Sequence, residues 1–258
     1  MALANILVAP NGARRTRKDH PSLPVTIEQT VQTAKACFDA GADGIHAHVR
    51  DKDQKHLLDA GLYRELQAEL TLKVPDMWVQ ITTEAVGIYS PEEQRAIVRN
   101  SDPEAVSISI REMLSEGENS AVSKFYWEQA EKGVEIQHIL YDDQDAATLA
   151  RLIKDETLPA TNLQLLFVLG RYSVGQVSNP DDLQPFMQSL DAFEGIDLDW
   201  GCCAFGQQET ECLLAAIKAG GKARIGFENN LHMKDGSIAP DNAARVTELI
   251  TELRARSL

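Results

Sequence analysis

The sequence predicts a (β/α)₈ (TIM) barrel, and two observations support this fold class. Runs rich in aliphatic and β-branched residues alternate with helical patterns along the 258 residues, and there are eight such runs. Caps and glycines at the predicted helix ends separate the two kinds of segment. Eight alternations in about 250 residues are typical of this barrel. The predicted strands are residues 6–9, 44–49, 77–82, 105–110, 134–141, 163–169, 196–205 and 222–227.

The helix boundaries follow from local sequence signals. Thr26 followed by Gln29 has the spacing of a capping box, and Ser90 precedes a proline, as expected at a helix start. Asn179 precedes a proline in the same way, and the last helix is predicted over residues 242–254. The predicted helix ends carry a glycine at Gly41, Gly133 and Gly220.

A doubly wound open sheet is the alternative fold. That fold usually carries a glycine-rich phosphate loop after its first strand, whereas residues 9–12 read APNG rather than GxGxxG. The sequence contains no visible linker, low-complexity segment or second domain. Residues 1–258 are therefore predicted to form one barrel domain.

Composition excludes several classes of function. The 39 acidic against 25 basic residues give a formal charge of −14, which argues against a nucleic-acid surface. No apolar run is long enough for a membrane span, and no basic segment precedes the first apolar run, as a secretory signal would require. The four cysteines form no CxxC motif and are expected to be buried thiols. These features predict a cytoplasmic protein.

The second predicted strand places two histidines on one face. Because side chains alternate along a strand, His46, His48 and Arg50 share one side. Two imidazoles inside a barrel need partners, and a shared metal ion is one solution. A hydrogen-bonded pair in a polar core is the other.

The eighth predicted strand favours the metal. Arg224, Gly226 and Glu228 share a face there, and even-numbered strands contribute together to the interior layers of such a barrel. Two histidines and one carboxylate leave an open coordination position, which is the pattern of a catalytic metal. Zinc is expected first, although iron or manganese accept the same ligands. The alternative for Glu228 is an ion pair with Arg224.

Other polar residues end strands at the same mouth. Thr82 and Glu84 end the third strand, and Ser107 and Ser109 lie on the fourth. Arginine suits a carboxylate or a phosphate, so a basic mouth is expected on this acidic protein. The arginines expected to form it are Arg14, Arg50, Arg111, Arg171 and Arg224.

Several segments together resemble the β-keto acid cleavage enzyme family. They are PNGARR, AGADGIHAHVRD, LLDAGLYREL, QITTE, SIS, LLFVLG and RIGFENN, in that order over residues 6–245. The resemblance implies a zinc-dependent barrel, usually a homotetramer, that converts a β-keto acid and acetyl-CoA into acetoacetate and a new CoA ester. Six positions match ones to which the family gives a role: the zinc ligands His46, His48 and Glu228, the substrate-binding Thr82 and either Ser107 or Ser109, and the catalytic Arg224.

The chain departs from the family pattern in its proton-handling residues. Asn229 stands where the family usually has an aspartate, and the fifth strand shows no secure match for a glutamate. Glu84 replaces a glycine and is expected to act as a relocated base, the alternative being an exposed loop acid. Arg14 matches a glutamate that faces an ammonium group in the enzyme for an amino-bearing substrate. It therefore predicts an acidic or polar substrate tail, such as that of a dicarboxylic β-keto acid.

Two further functions remain open at this point. The absence of the family's aspartate at Asn229 and of a secure glutamate on the fifth strand favours a lyase or hydrolase that needs no CoA. They also allow a catalytically inactive barrel that binds a metal or a metabolite. Formation of acetoacetate only when acetyl-CoA is present would separate these alternatives from the transferase.

Overall fold

A closed barrel of eight parallel strands forms the centre of the molecule. The structure is a computed structural model that describes residues 3–258. The strands are β1 (Ile6–Val8), β2 (Gly44–Ala47), β3 (Trp78–Thr82), β4 (Ala105–Ser109), β5 (Glu135–Leu140), β6 (Leu163–Leu169), β7 (Leu198–Ala204) and β8 (Lys222–Ile225). They pair in chain order, and β1 also pairs with β8, which closes the sheet. The predicted (β/α)₈ barrel is confirmed.

Helices surround the barrel on its outer side. They are α1 (Ile27–Asp39), α2 (Ala60–Lys73), α3 (Pro91–Ser101), α4 (Ile110–Met113), α5 (Ser120–Lys132), α6 (Asp143–Lys154), α7 (Gln184–Ser189), α8 (Glu209–Lys218) and α9 (Asn242–Arg256), with 3₁₀ turns at Pro180–Leu183 and Leu190–Phe193. The capping boxes predicted at Thr26 and Ser90 are both present. Asn179 caps a 3₁₀ turn rather than an α-helix. No helix among residues 3–258 is long and apolar enough to cross a membrane.

Side chains of each strand alternate between two environments. On β6, Leu165 and Phe167 belong to the large core cluster between the barrel and the helices. Leu166 and Val168, between them in sequence, belong to a separate cluster. This is the two-residue period of a strand, and it assigns the interior and exterior of the barrel.

Two predicted strands end two residues earlier than expected, at the end of the barrel where the site lies. β2 ends at Ala47 rather than residue 49, and β8 ends at Ile225 rather than residue 227. Gly226 has a φ of 143°, and a Cβ there would lie 2.4 Å from the Ala9 carbonyl oxygen. The chain therefore leaves the sheet by a turn that only glycine adopts without strain. His48 and Glu228 consequently lie just beyond their strands.

Candidate metal centre and active site

His46, His48 and Glu228 converge at the C-terminal end of the barrel. One ligand atom from each lies within 4.8 Å of the other two. The two histidine Nε2 atoms are 3.0 Å apart. Glu228 Oε2 is 3.8 Å from His46 Nε2, and its Oε1 is 3.8 Å from His48 Nε2. The structure thus brings together the three side chains that were predicted from the sequence to be metal ligands, and we call His46, His48 and Glu228 the metal-ligand cluster.

A chain of amides fixes the tautomer of His46. The Leu165 carbonyl can only accept, so Gln137 turns its Nε2 towards it, at 3.5 Å. The Gln137 Oε1 then accepts from Gln80 Nε2 at 3.1 Å, which leaves Gln80 Oε1 to accept from His46 Nδ1 at 2.7 Å. The proton of the neutral imidazole is therefore on Nδ1, and Nε2 presents its lone pair.

A third histidine does the same for His48. His56 Nε2 lies 2.8 Å from the Glu84 carbonyl oxygen, which can only accept, so the proton of neutral His56 is on Nε2. Its Nδ1 then accepts from His48 Nδ1 at 3.4 Å, and His48 Nε2 is left without a proton. No role was predicted for His56 from its spacing in the sequence. Its position ten residues after His46 carries no periodic signal, because a β-bridge between Arg50 and His56 folds it back.

The resulting donor set fits a cation. Two unprotonated nitrogens face each other at 3.0 Å with a carboxylate beside them, an arrangement that is repulsive without a positive charge between the three. Ligands at tetrahedral zinc lie about 3.3 Å apart, given a metal–nitrogen distance of about 2.0 Å. The observed 3.0–3.8 Å separations are compatible with that geometry.

Burial keeps the ligands in the protonation states that a metal requires. It lowers the pKa of His46 to about 3, and the charge of Arg224 contributes to the same shift. Burial also places the pKa of His48 well below its ordinary value. For Glu228, burial opposes ionisation, but Arg224 and His46 outweigh it and hold its pKa below the usual range. At neutral pH the site is therefore two neutral imidazoles and one carboxylate.

The loop after β1 contacts His48 and Glu228 and holds them in place. The Asn11 side chain donates to the His48 carbonyl at 2.9 Å and accepts from the His48 N–H at 3.3 Å. Gly12 packs against Glu228, since a Cβ there would lie 2.5 Å from the Glu228 Cγ. The loop after β1 thus fits closely around both ligands.

His46 and Glu228 of the metal-ligand cluster line a cavity of about 140 Å³. Its polar side chains come from β2, β3 and β8 and from the loops after β1, β3, β6 and β8. They include Asn11, Arg14, Arg15, His46, Thr82, Glu84, Arg171, Gln176, Arg224, Glu228 and Asn229.

Two arginines of the predicted basic mouth do not line this cavity. Arg50 donates to the carbonyl oxygens of Asn11 at 3.0 Å and Gln54 at 2.8 Å, so it joins two loops. Arg111 points outward and pairs with Asp142 at 2.6 Å. The prediction that these two arginines line the mouth was wrong because the chain has left the sheet before it reaches either residue.

Arg15 takes a place in the mouth that sequence reasoning did not assign to it. It lines the cavity and donates to the carbonyl oxygens of Phe227 and Asn229. It therefore ties the loop after β1 to the loop that carries Glu228. Arg14, by contrast, is exposed at the rim of the cavity.

Arg224 and Asn229 carry buried polar atoms that are free to meet a ligand. Arg224 Nη2 donates to Glu228 Oε2 at 2.8 Å, so the ion pair weighed as an alternative coexists with the metal-ligand cluster. The Nε and Nη1 of Arg224 and both amide atoms of Asn229 have no hydrogen-bond partner within residues 3–258. Unsatisfied buried groups lining a cavity indicate a polar ligand.

Glu84 also faces this cavity. Its Oε2 is 4.0 Å from His48 Nδ1, and its Oε1 is 3.7 Å from Arg171 Nη2. Burial raises the pKa of Glu84 to about 7, and the nearby Glu228 and Glu112 add to the shift. The side chain is 17% exposed, so the alternative of an exposed loop acid is wrong.

Of the three predicted substrate-binding hydroxyls, one lines the cavity. Thr82 does so, and its Oγ1 accepts from the Glu84 N–H at 3.0 Å. Ser109 caps α4, accepting from the Glu112 N–H at 3.3 Å, and Ser107 is fully buried. In the described part of the chain, neither serine is among the residues that line the cavity.

Known proteins resemble this chain over nearly its whole length. The chain is 28% identical over 257 residues to the 3-keto-5-aminohexanoate cleavage enzyme of Fusobacterium nucleatum subsp. nucleatum, covering 96% of this chain and 91% of that protein. It is 22% identical over 257 residues to the 3-oxoadipate:acetyl-CoA acetyltransferase of Cupriavidus necator, covering 95% and 86%.

A solved structure, the ternary complex of ObcA with a C4-CoA adduct and oxalate, superimposes with a TM-score of 0.73 at 16% identity. The match covers 92% of this chain but 65% of ObcA, and it shows the fold alone. The sequence pattern of the beta-keto acid cleavage enzymes matches residues 4–257, nearly the whole chain. The chain therefore belongs to the beta-keto acid cleavage enzyme family.

Proposed function

We propose that this protein is a zinc-dependent β-keto acid cleavage enzyme that condenses a β-keto acid with acetyl-CoA to give acetoacetate and a new acyl-CoA. The observation that carries the proposal is the set of unprotonated donors of His46, His48 and Glu228, which opens into a cavity lined by arginines. The name of the Cupriavidus necator relative includes acetyl-CoA as a substrate. Family membership supports the same class of chemistry.

Zinc at these three ligands would supply a Lewis acid for the keto oxygen of the substrate. The donor set also accepts iron or manganese, and metal analysis of the purified protein distinguishes them. Asn11 and Gly12 act on this site by holding His48 and Glu228.

Arg224 and Asn229 are proposed to bind and orient the reacting groups. The two free nitrogens of Arg224 suit the substrate carboxylate, and the Asn229 amide can both donate and accept. Thr82 lines the cavity between β3 and Glu84 and is proposed as a third polar contact. We assign no substrate contact to Ser107 or Ser109, because both are placed away from the cavity lining of the described chain.

Glu84 is proposed as the base. It removes a proton from C2 of the β-keto acid, and C2 then forms a bond with the acetyl carbon as the CoA thiolate leaves. The thiolate attacks the keto carbon, the bond from that carbon to C2 breaks, and C2 regains a proton to give acetoacetate. Asn229 cannot accept this proton, whereas the Glu84 carboxylate faces the same cavity.

Arg14 is proposed to bind an anion at the rim, where it is exposed. The tail carboxylate of a dicarboxylic β-keto acid, as expected from the sequence, is one such anion, and a CoA phosphate is another. If Arg14→Glu leaves the preference between anionic and cationic β-keto acids unchanged, Arg14 does not face the tail.

The proposal extends to location and assembly. All four cysteines, at positions 37, 202, 203 and 212, are free and buried in the described chain, which fits a reducing cytoplasm. A homotetramer is expected from the resemblance to the family, and light scattering on the purified protein tests it.

The deciding experiment supplies the zinc-loaded protein with β-keto acids in the presence and absence of acetyl-CoA. We expect acetoacetate and a new acyl-CoA only when both substrates are present, and no product from His46→Ala. Cleavage without acetyl-CoA would instead identify the CoA-independent lyase or hydrolase. No turnover with any β-keto acid would support the inactive barrel.

A further inference from the structure

Five side chains from three neighbouring strands form one face of the cavity. They are Ile139 on β5, Leu166 and Val168 on β6, Cys203 on β7 and Phe205 directly after it. They form a cluster separate from the large core between strands and helices, and each is less than a tenth exposed. We call this surface the apolar wall.

The apolar wall lines a cavity, unlike the residues of an ordinary packed core. The interior of such a barrel is normally filled by layers of side chains. Here the same inward-facing positions line about 140 Å³ of cavity. Hydrocarbon that faces a space lacks contact partners on that side, and a ligand with a matching apolar surface supplies them.

The opposite face of the same cavity is polar. It carries His46 of β2, Arg224 of β8, and Glu228 and Asn229 from the loop after β8. A substrate held there by its keto and carboxylate groups presents the rest of its carbon chain to the apolar wall. The cavity would hold roughly ten water-sized groups, which is room for a β-keto acid with a tail of about three carbons.

Arg171 is a charged neighbour of the apolar wall. Arg171 lies over the Phe205 ring, with Cζ 5.1 Å from the ring centroid, and faces Glu84 at 3.7 Å. The side chains of the wall itself carry no ionised group at neutral pH, since burial raises the pKa of the Cys203 thiol to about 12. A charged tail would lose its water against hydrocarbon, at a cost that an aliphatic tail does not meet.

We infer that the apolar wall is the acyl-tail subsite and that the preferred substrate is a β-keto acid with a short uncharged aliphatic tail. This rests on the proposed function for the placement of the keto and carboxylate groups. It differs from the acidic tail suggested by Arg14, which then binds another anion at the exposed rim. Each tail methylene that reaches the wall should strengthen binding about four-fold.

The test compares three acids that share a six-carbon chain and differ in tail charge: 3-oxohexanoate, 3-oxoadipate and 3-keto-5-aminohexanoate. Calorimetric titration of the zinc-loaded protein without acetyl-CoA measures binding apart from turnover. We expect 3-oxohexanoate to bind at least about ten-fold more tightly than either charged acid. Tighter binding of a charged acid, equal binding of all three, or no binding would overturn the inference.

A pair of isosteric variants locates the effect. Val168→Thr adds a hydroxyl to the apolar wall and should reduce the preference for 3-oxohexanoate several-fold. Val79→Thr makes the same change on β3, where Val79 packs on the outer core, and should leave the preference unchanged. Equal preference in the two variants would place the tail elsewhere. If 3-oxohexanoate binds best but acetyl-CoA yields no acetoacetate, the proposed function fails and the subsite stands.

Discussion

The hydrogen bond from His48 to His56 predicts how strongly the proposed site at His46, His48 and Glu228 binds zinc. His56→Phe keeps a ring of similar size but removes the Nδ1 that accepts from His48 Nδ1 at 3.4 Å. The buried His48 N–H then has no acceptor, which costs about 1–3 kcal/mol, or the imidazole changes tautomer and loses its metal-binding lone pair. Loss of such a partner lowers metal affinity about 10–100-fold.

The assay is competition for zinc against a chromophoric chelator, which requires no substrate or turnover. His20→Phe is the matched control, because His20 is equally buried and its Nε2 lies 2.9 Å from the Ala239 carbonyl oxygen, with no contact to the ligands. We expect wild-type affinity in the control and rescue of part of the loss in His56→Asn, which retains an acceptor. Wild-type affinity in His56→Phe would refute the assignment of the tautomers.

The remaining predictions concern the base, the buried ion pair and the glycine behind the ligand. Glu84→Gln should lower kcat by about 10²–10⁴ and abolish the part of the pH profile in which activity rises with pH. Burial raises the pKa of Glu84 to about 7, and a bound dication lowers the pH at which this rise occurs. Measurement of kcat from pH 5 to 9 in both proteins tests this prediction. Arg245→Met leaves the fully buried Glu209 carboxylate unpaired and should cost about 3–5 kcal/mol in denaturant unfolding at pH 8. Burial raises the pKa of Glu209 to about 7, so this group favours folding less as the pH rises from 4.5 to 7. The stability lost in Arg245→Met should therefore be smaller at pH 5, where Glu209 is protonated. Equal losses of stability at pH 5 and pH 8 would contradict this prediction. Gly12→Ala should weaken zinc binding because its Cβ would meet the metal-ligand glutamate, whereas Gly117→Ala, also at positive φ but in open space, should cost only about 1 kcal/mol of stability with unchanged zinc affinity.

Short-range signals in the sequence were sufficient for the barrel. The alternation of strands and helices follows from local hydrophobic patterns, and caps such as Thr26 and Ser90 depend on residues within one turn. The strand ends at β2 and β8 were predicted two residues too long. Sequence patterns do not show where pairing with the neighbouring strand stops. On β8 this pairing stops before the turn at Gly226.

The residues of the metal-ligand cluster could be predicted from the sequence, but not every residue around them. The HxH spacing on β2 and the Glu on β8 were visible in the sequence because alternation puts them on inward faces, and closure of the barrel makes their strands near neighbours. The arginines were predicted less well. Arg50 and Arg111 lie beyond their strands, where the two-residue period no longer decides direction.

By itself, the sequence determined the fold and the three residues that meet at its mouth, because both follow from periodicity and from the order of the strands. Only the tertiary structure decided which ring nitrogens of the two histidines carry no proton and can bind a metal. That choice depends on contacts between segments distant in sequence, such as Gln80 with Gln137 and the Glu84 carbonyl with His56. Protons on a buried imidazole are assigned by its neighbours in space, and no local pattern records them.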